Sequence, residues 1–148
     1  MIFELKRDEK LVRIIFYPYH YDKKRNKLKR GSFQPPYNRD EVSVQRLLIV
    51  DVNFCKKLGK EISIKSNKKR YIGLALVIVK SVLKAGAFVK ASHSKNSLGH
   101  ANIYYGYTIQ RDEPIPVKMA VTINKIIDSC KFYLDPNPDV ELWVGEKL

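Results

Sequence analysis

Apolar positions along the chain follow a period of two in its first half and near its end, and a period of 3.6 in one long stretch between. Residues 10–19, KLVRIIFYPY, are β-branched and aromatic on both faces, which predicts a strand in the middle of a sheet. Alternation puts Leu11, Arg13, Ile15 and Tyr17 on one side and Val12, Ile14 and Phe16 on the other. Residues 41–50, EVSVQRLLIV, predict a second strand, with Val42, Val44, Arg46 and Leu48 on one face and Glu41, Ser43, Gln45 and Leu47 on the other. Each strand therefore turns one arginine toward apolar neighbours. A buried guanidinium must find an anionic or carbonyl partner, because leaving it unpaired costs several kcal/mol.

Between these strands, HYDKKRNKLKRG reads as a solvated loop or hairpin tip, and SFQPPYNRD, with two prolines, as an irregular connection. Asp51 or Asn53 can cap a short helix running to Leu58, with Gly59 as its stop. EISI (61–64) predicts a short strand and the basic residues 65–70 a turn. Gly73 to about Gly86 reads as a buried helix closed by Gly86 in the left-handed region, although the β-branched content of 71–77 makes a strand a competitor there.

The stretch 87–109 reads as a strand (87–91), a connection (92–99) and a second strand (100–109). The connection carries His93, Ser94, Asn96 and Ser97, and alternation gathers His100, Asn102, Tyr104 and Thr108 on one face of the second strand. Residues 116–134 carry the 3.6-residue stripe Met119/Ala120, Ile123, Ile126/Ile127, Cys130 and Tyr133/Leu134, which predicts a long helix. DPNPD stops it, and Val140, Leu142 and Val144 alternate as a last strand. The expectation is one α+β domain over residues 1–148, a mixed or mainly antiparallel sheet packed by two or three helices.

A chain of 148 residues can bury a real core. Its composition, 45% hydrophobic with only seven glycines and seven prolines, excludes disordered and fibrous classes. Charge changes the picture more: 28 Lys and Arg against 15 Asp and Glu give +13, which attracts polyanions without specifying a fold. Nucleic acid, RNA ahead of DNA, is the expected partner, with an acidic protein or a small anionic or nucleotide ligand as alternatives. Cys55 and Cys130 stand far apart with no metal-ligand spacing, so neither a zinc site nor a disulfide framework is expected, and no cofactor is. Charges by the fourth residue and the lack of a long apolar run predict no signal peptide, no spanning helix and a cytoplasmic protein.

No GxxxxGK(S/T), GxGxxG or HExxH stands in the sequence, so no motif names a reaction. Candidate catalytic residues come from residue type and position. His100 and His93 can move a proton near neutral pH, while Arg13 and Arg46, if they meet on one sheet face, form an anion clamp. The bland alternatives are a histidine bonded to a carbonyl at a strand start, a solvated loop histidine, and arginines paired with an internal acid such as Asp40, Glu41 or Glu61. Asn102, Ser43 and Tyr104 are candidate ligand-binding residues. Two basic clusters, Lys23, Lys24, Arg25, Lys27, Lys29 and Arg30 in the first and Lys68, Lys69 and Arg70 in the second, stand beside tyrosines that could stack bases. Together these residues suggest a basic nucleic-acid-acting protein, either a metal-independent ribonuclease or an RNA-binding effector, with a non-enzymatic basic adaptor as the other reading.

Overall fold

A computed structural model of the chain describes residues 4–94 and 97–148. Asn96, which the sequence puts on the 92–99 connection, lies outside them. The described residues form a six-stranded antiparallel sheet, a small two-stranded hairpin and three α-helices, the α+β class expected.

The first strand, β1 (Lys10–Tyr17), is central and buried on both faces, as its unbroken apolar character requires. After the hairpin β2 (Tyr21–Asp22) and β3 (Lys27–Leu28) and a 3-10 turn at Arg30–Phe33 comes β4 (Glu41–Arg46). Next follow α1 (Val52–Lys65), β5 (Arg70–Ile78), α2 (Val79–Ala85), β6 (Phe88–Ala91) and β7 (His100–Tyr104). The chain ends with α3 (Val117–Ser129), β8 (Lys131–Leu134) and an irregular tail. Across the sheet the order is β6-β7-β4-β1-β5-β8.

One layer packs α2, α3 and the 3-10 turn against the face that carries Leu11, Ile15, Val42, Val44, Ala101 and Ile103. The opposite layer is smaller: α1 lies over β1 and β5, enclosing Val12, Ile14, Phe16, Tyr71 and Leu74 with Cys55. Among the described residues no helix packs across β4 and β7 on that second face, which leaves their outward side chains at the surface or under one another.

Several segments differ from the sequence expectation, and four of them do so for an identifiable reason; β4 and β7 only end early, at Arg46 and Tyr104. Residues 61–64 are not a strand, because α1 runs through Gly59 to Lys65, capped by Asp51 Oδ1 accepting from the Phe54 N–H at 2.8 Å. Gly59 is there for clearance: a Cβ would sit 2.7 Å from a Tyr71 ring carbon and 2.8 Å from Ile14 Cγ2. The 73–86 segment is strand to Ile78 and helix only from Val79, so the β-branched competitor prevails; Gly86, at φ 107°, does close that helix. The helix expected over 116–134 stops at Ser129, and Lys131–Leu134 turns back to extend the sheet along β5. Residues 140–144 form no strand. The tail instead crosses α1, where the buried Lys56 ammonium donates to the Asn137 and Leu142 carbonyls at 2.9 and 2.8 Å and pairs with Asp135 at 3.1 Å.

Candidate functional site

The sheet is unevenly zipped. β1 pairs with β5 along its whole length, but with β4 only at Leu11↔Arg46 and Val12↔Gln45. Past those pairs β1 and β4 diverge, and Arg13 bridges the gap. Its Nε donates to the Ser32 carbonyl at 2.7 Å and its Nη1 to the Ser43 carbonyl at 3.0 Å. The guanidinium has thus met carbonyl partners, and no carboxylate among the described residues pairs with it. Desolvation pulls its pKa down to about 10, so it remains charged at neutral pH. Tyr105 stands close enough to act on it electrostatically, and donates its own hydroxyl to the Phe33 carbonyl at 2.6 Å.

Arg46, two positions along the same sheet face, is engaged quite differently. It is 1% exposed, its Nε and Nη2 reach Glu9 at 2.5 and 3.1 Å, and Nη2 also donates to the Glu4 carbonyl. The internal acid is Glu9 rather than Asp40, Glu41 or Glu61; Glu41 pairs instead with Arg39 at 2.8 Å. The two arginines share a face but not a partner set.

His20, which sequence reasoning passed over, belongs to the Arg13 region. The chain folds back after β1 so that the Phe16 N–H donates to His20 Nδ1 at 3.1 Å, and the two rings meet edge-on at 5.7 Å. An imidazole nitrogen that accepts carries no hydrogen, so in the neutral ring the proton sits on Nε2. Burial, with Arg13 and Lys69 adding positive charge, lowers the His20 pKa to about 3. At neutral pH this ring is a hydrogen-bond donor through Nε2 and not a base. No local motif marks His20 in YPYHY; only its return onto Phe16 does.

On the α1 side of the sheet, β4 and β7 build the polar row anticipated from alternation. The backbone bonds from Arg46 N–H to the Gly99 carbonyl (2.8 Å) and from Tyr105 N–H to the Asp40 carbonyl (3.0 Å) bracket the pairing. They make Gln45/His100, Ser43/Asn102 and Glu41/Tyr104 the non-hydrogen-bonded pairs, in which side chains approach most closely. His100 Nδ1 lies 3.2 Å from the Ser92 carbonyl. A carbonyl only accepts, so Nδ1 carries the hydrogen and Nε2 is left with a free lone pair. Beside it Asn102 donates to the Tyr104 hydroxyl at 3.3 Å, and Lys90 of β6 stands 5.5 Å from the Tyr104 ring centre. Gln45 is 5% exposed, and its Oε1 is the only fully buried side-chain polar atom without a partner among the described residues. Thr108 falls outside the row, because β7 ends at Tyr104.

The two basic clusters meet. Tyr17 pairs with Arg70 across β1 and β5, and Lys23 and Arg70 both approach its ring, at 4.3 and 5.4 Å from the centre. Lys69 sits 4.8 Å over Phe16 and acts on His20, which joins this basic surface to the Arg13 region. Lys24, Arg25, Lys27, Lys29 and Arg30 are exposed around the hairpin, and Lys68 beside the second cluster. His93 is exposed and lines a separate cleft with Glu4, Arg7 and Val79. Among the described residues no group of three His, Cys, Asp or Glu could hold a metal ion, and no helix is long and apolar enough to cross a membrane.

No family model, curated protein or solved structure matches this chain.

Proposed function

We propose that this is a basic nucleic-acid-acting protein, with RNA as its partner held by the Arg13 region, and that His100, on the other face of the sheet, is the base of a metal-independent ribonuclease chemistry. The observation that carries the reading is the union of the two basic clusters on the Tyr17 ring, on the strand that also carries an arginine paired with no carboxylate among the described residues. A surface of this kind binds a phosphate backbone, with Tyr17 and Tyr19 available for stacking. Metal-independent cleavage needs a base for the 2′-hydroxyl, an acid for the leaving 5′-oxygen and a cation for the charge that develops on phosphorus oxygens. His100 Nε2, with Nδ1 held by the Ser92 carbonyl, suits the first requirement, solvent water can supply the second, and Lys90, paired with Asn102 on the same face, suits the third; Arg13, on the opposite face of the sheet, holds backbone phosphate instead. Arg46, occupied by Glu9, supports the fold instead. Cys55 and Cys130 are unbridged, which fits a reducing compartment such as the cytoplasm.

The test is binding of a labelled RNA over a range of salt, followed by incubation in EDTA. Binding should weaken linearly on logarithmic axes as salt rises, and the wild type should cleave RNA while His100→Ala does not. Absence of salt-dependent binding overturns the reading. Binding with equal inertness of wild type and variant removes the catalytic part and leaves a non-enzymatic RNA-binding module.

A further inference from the structure

We infer that Arg13, His20 and Lys69 form a binding site for a phosphate group, in which His20 contributes an N–H donor rather than a proton acceptor. The inference rests on the reading above only in naming RNA as a source of the phosphate; the site itself follows from three features of the gap beside β1.

The first is the state of Arg13. Nε and Nη1 are spent on the Ser32 and Ser43 carbonyls, which fix the guanidinium plane, while Nη2 has no partner among the described residues. Gln45 Oε1 being the only fully buried unpaired side-chain atom among them, Arg13 Nη2 is not sealed from solvent. A guanidinium held rigid by two of its donors and exposing a third is prepared for an anion, because little rotamer freedom is lost on binding.

The second is the tautomer of His20. The Phe16 N–H occupies Nδ1, so the hydrogen must be on Nε2, which likewise has no partner among the described residues and is not sealed from solvent. The third is the sign of the surroundings. Burial holds the ring neutral, and the two charges that act on His20, those of Arg13 and Lys69, are both positive and add to that effect. A field that expels a proton from imidazole draws in an anion. Donors of three kinds then border the gap beside β1: a guanidinium, an imidazole N–H and, over the Phe16 ring, an ammonium. Three donors and no acceptor match the oxygens of a phosphate group, and they match neither a hydroxyl nor an amine.

A phosphate group reaches such a site from a polynucleotide backbone or from a free nucleotide or inorganic ion, and calorimetric titration separates the sources. Inorganic phosphate and adenosine 5′-monophosphate should bind wild type, and adenosine should not; a short oligoribonucleotide should compete. Arg13 also braces two backbone carbonyls, so variants at His20 and Lys69 carry the test. His20→Asn keeps an acceptor for the Phe16 N–H and lacks the outer donor; it should lose about tenfold in phosphate affinity with little change in melting temperature. His20→Gln restores a donor at the Nε2 position and should recover most of that loss. Lys69→Ala should weaken binding about threefold. Binding of phosphate by His20→Asn as by wild type, or a nitrogen-15 spectrum showing the His20 hydrogen on Nδ1, would overturn the inference. RNA binding indifferent to these variants leaves the proposed function standing without this site, and phosphate binding without RNA binding does the reverse.

Discussion

Arg13 and Arg46 lie on neighbouring strands, point to the same face of the sheet and stand among similar apolar residues, yet their charges are met in opposite ways. Arg46 is enclosed with Glu9, its charge balanced by two contacts of 2.5 and 3.1 Å. Arg13 has carbonyls alone, which satisfy hydrogens but do not cancel charge. The difference follows from the sheet: where β4 is laddered to β1 the space between them is closed and an ion pair must be complete, and where the strands part the guanidinium can borrow solvent. A buried arginine with an acid stabilises a fold. One held by carbonyls at a gap is available to a ligand.

The largest effect should come from breaking the Arg46 pair. Glu9→Ala leaves an uncompensated charge at a position that is 1% exposed, at a cost of about 3–5 kcal/mol by denaturant unfolding. Arg13→Met should cost less, about 2 kcal/mol, because it orphans two partly hydrated carbonyls and no charge. In RNA binding the order reverses: Arg13→Met should abolish it, while Arg46→Met combined with Glu9→Leu, where the doubly apolar protein folds, should leave it unchanged. Equal stability losses at the two sites would show that the gap beside Arg13 is as dry as the Glu9 pocket, and the comparison would collapse.

A smaller effect, visible as a pH dependence, sharpens the same contrast. His20 has a folded pKa of about 3 against an ordinary value near 6.5. Its folded value is the depressed one, so below about 6.5 the unfolded chain takes up a proton that the folded chain refuses, and stability falls as pH falls. Stability is full above that value, and the loss between about pH 7 and about pH 5 should be about 2 kcal/mol greater in wild type than in His20→Gln. The comparison between the two proteins removes the contribution of carboxylates common to both. Parallel pH profiles would mean that His20 is hydrated in the folded state, and that the positive field attributed to Arg13 and Lys69 is weak.

Much of this arrangement was legible in the sequence, and what was not has a physical reason. Alternation gave the faces of β1, β4 and β7, and with them the polar row His100, Asn102 and Tyr104 and the need of Arg13 for a carbonyl or anion. Periodicity could not decide between helix and strand for the apolar run after Tyr71, since a short buried segment of either kind reads the same. Gly59 looked like a helix stop because glycine usually is one; its packing against Tyr71 and Ile14 is a tertiary fact. The same holds at the site. That Glu9 would close on Arg46, that Lys23 and Arg70 would meet on Tyr17, and that His20 would fold back onto Phe16 all depend on contacts between elements whose mutual placement no local pattern carries.

The smallest effect concerns Gln45, the cross-strand neighbour of His100 and, among the described residues, the one buried side chain whose oxygen lacks a partner. Both arginines satisfy the polar groups they bury, and Gln45 does not, so Gln45→Met, close in shape and without polar atoms, should stabilise the fold by about 1 kcal/mol. Thermal unfolding would register this as a rise of a few degrees. The informative comparison is with RNA binding by the same variant. If stability rises and binding falls, the unpaired amide beside His100 is a strain kept for the ligand, and the polar row takes part in binding on its own face of the sheet. If stability rises and binding is unaltered, the site ends at Ser43, and His100 owes its position to the Ser92 carbonyl alone. A loss of stability would mean that ordered water satisfies the Gln45 oxygen in the folded protein, and that on this face too every buried polar group is paired.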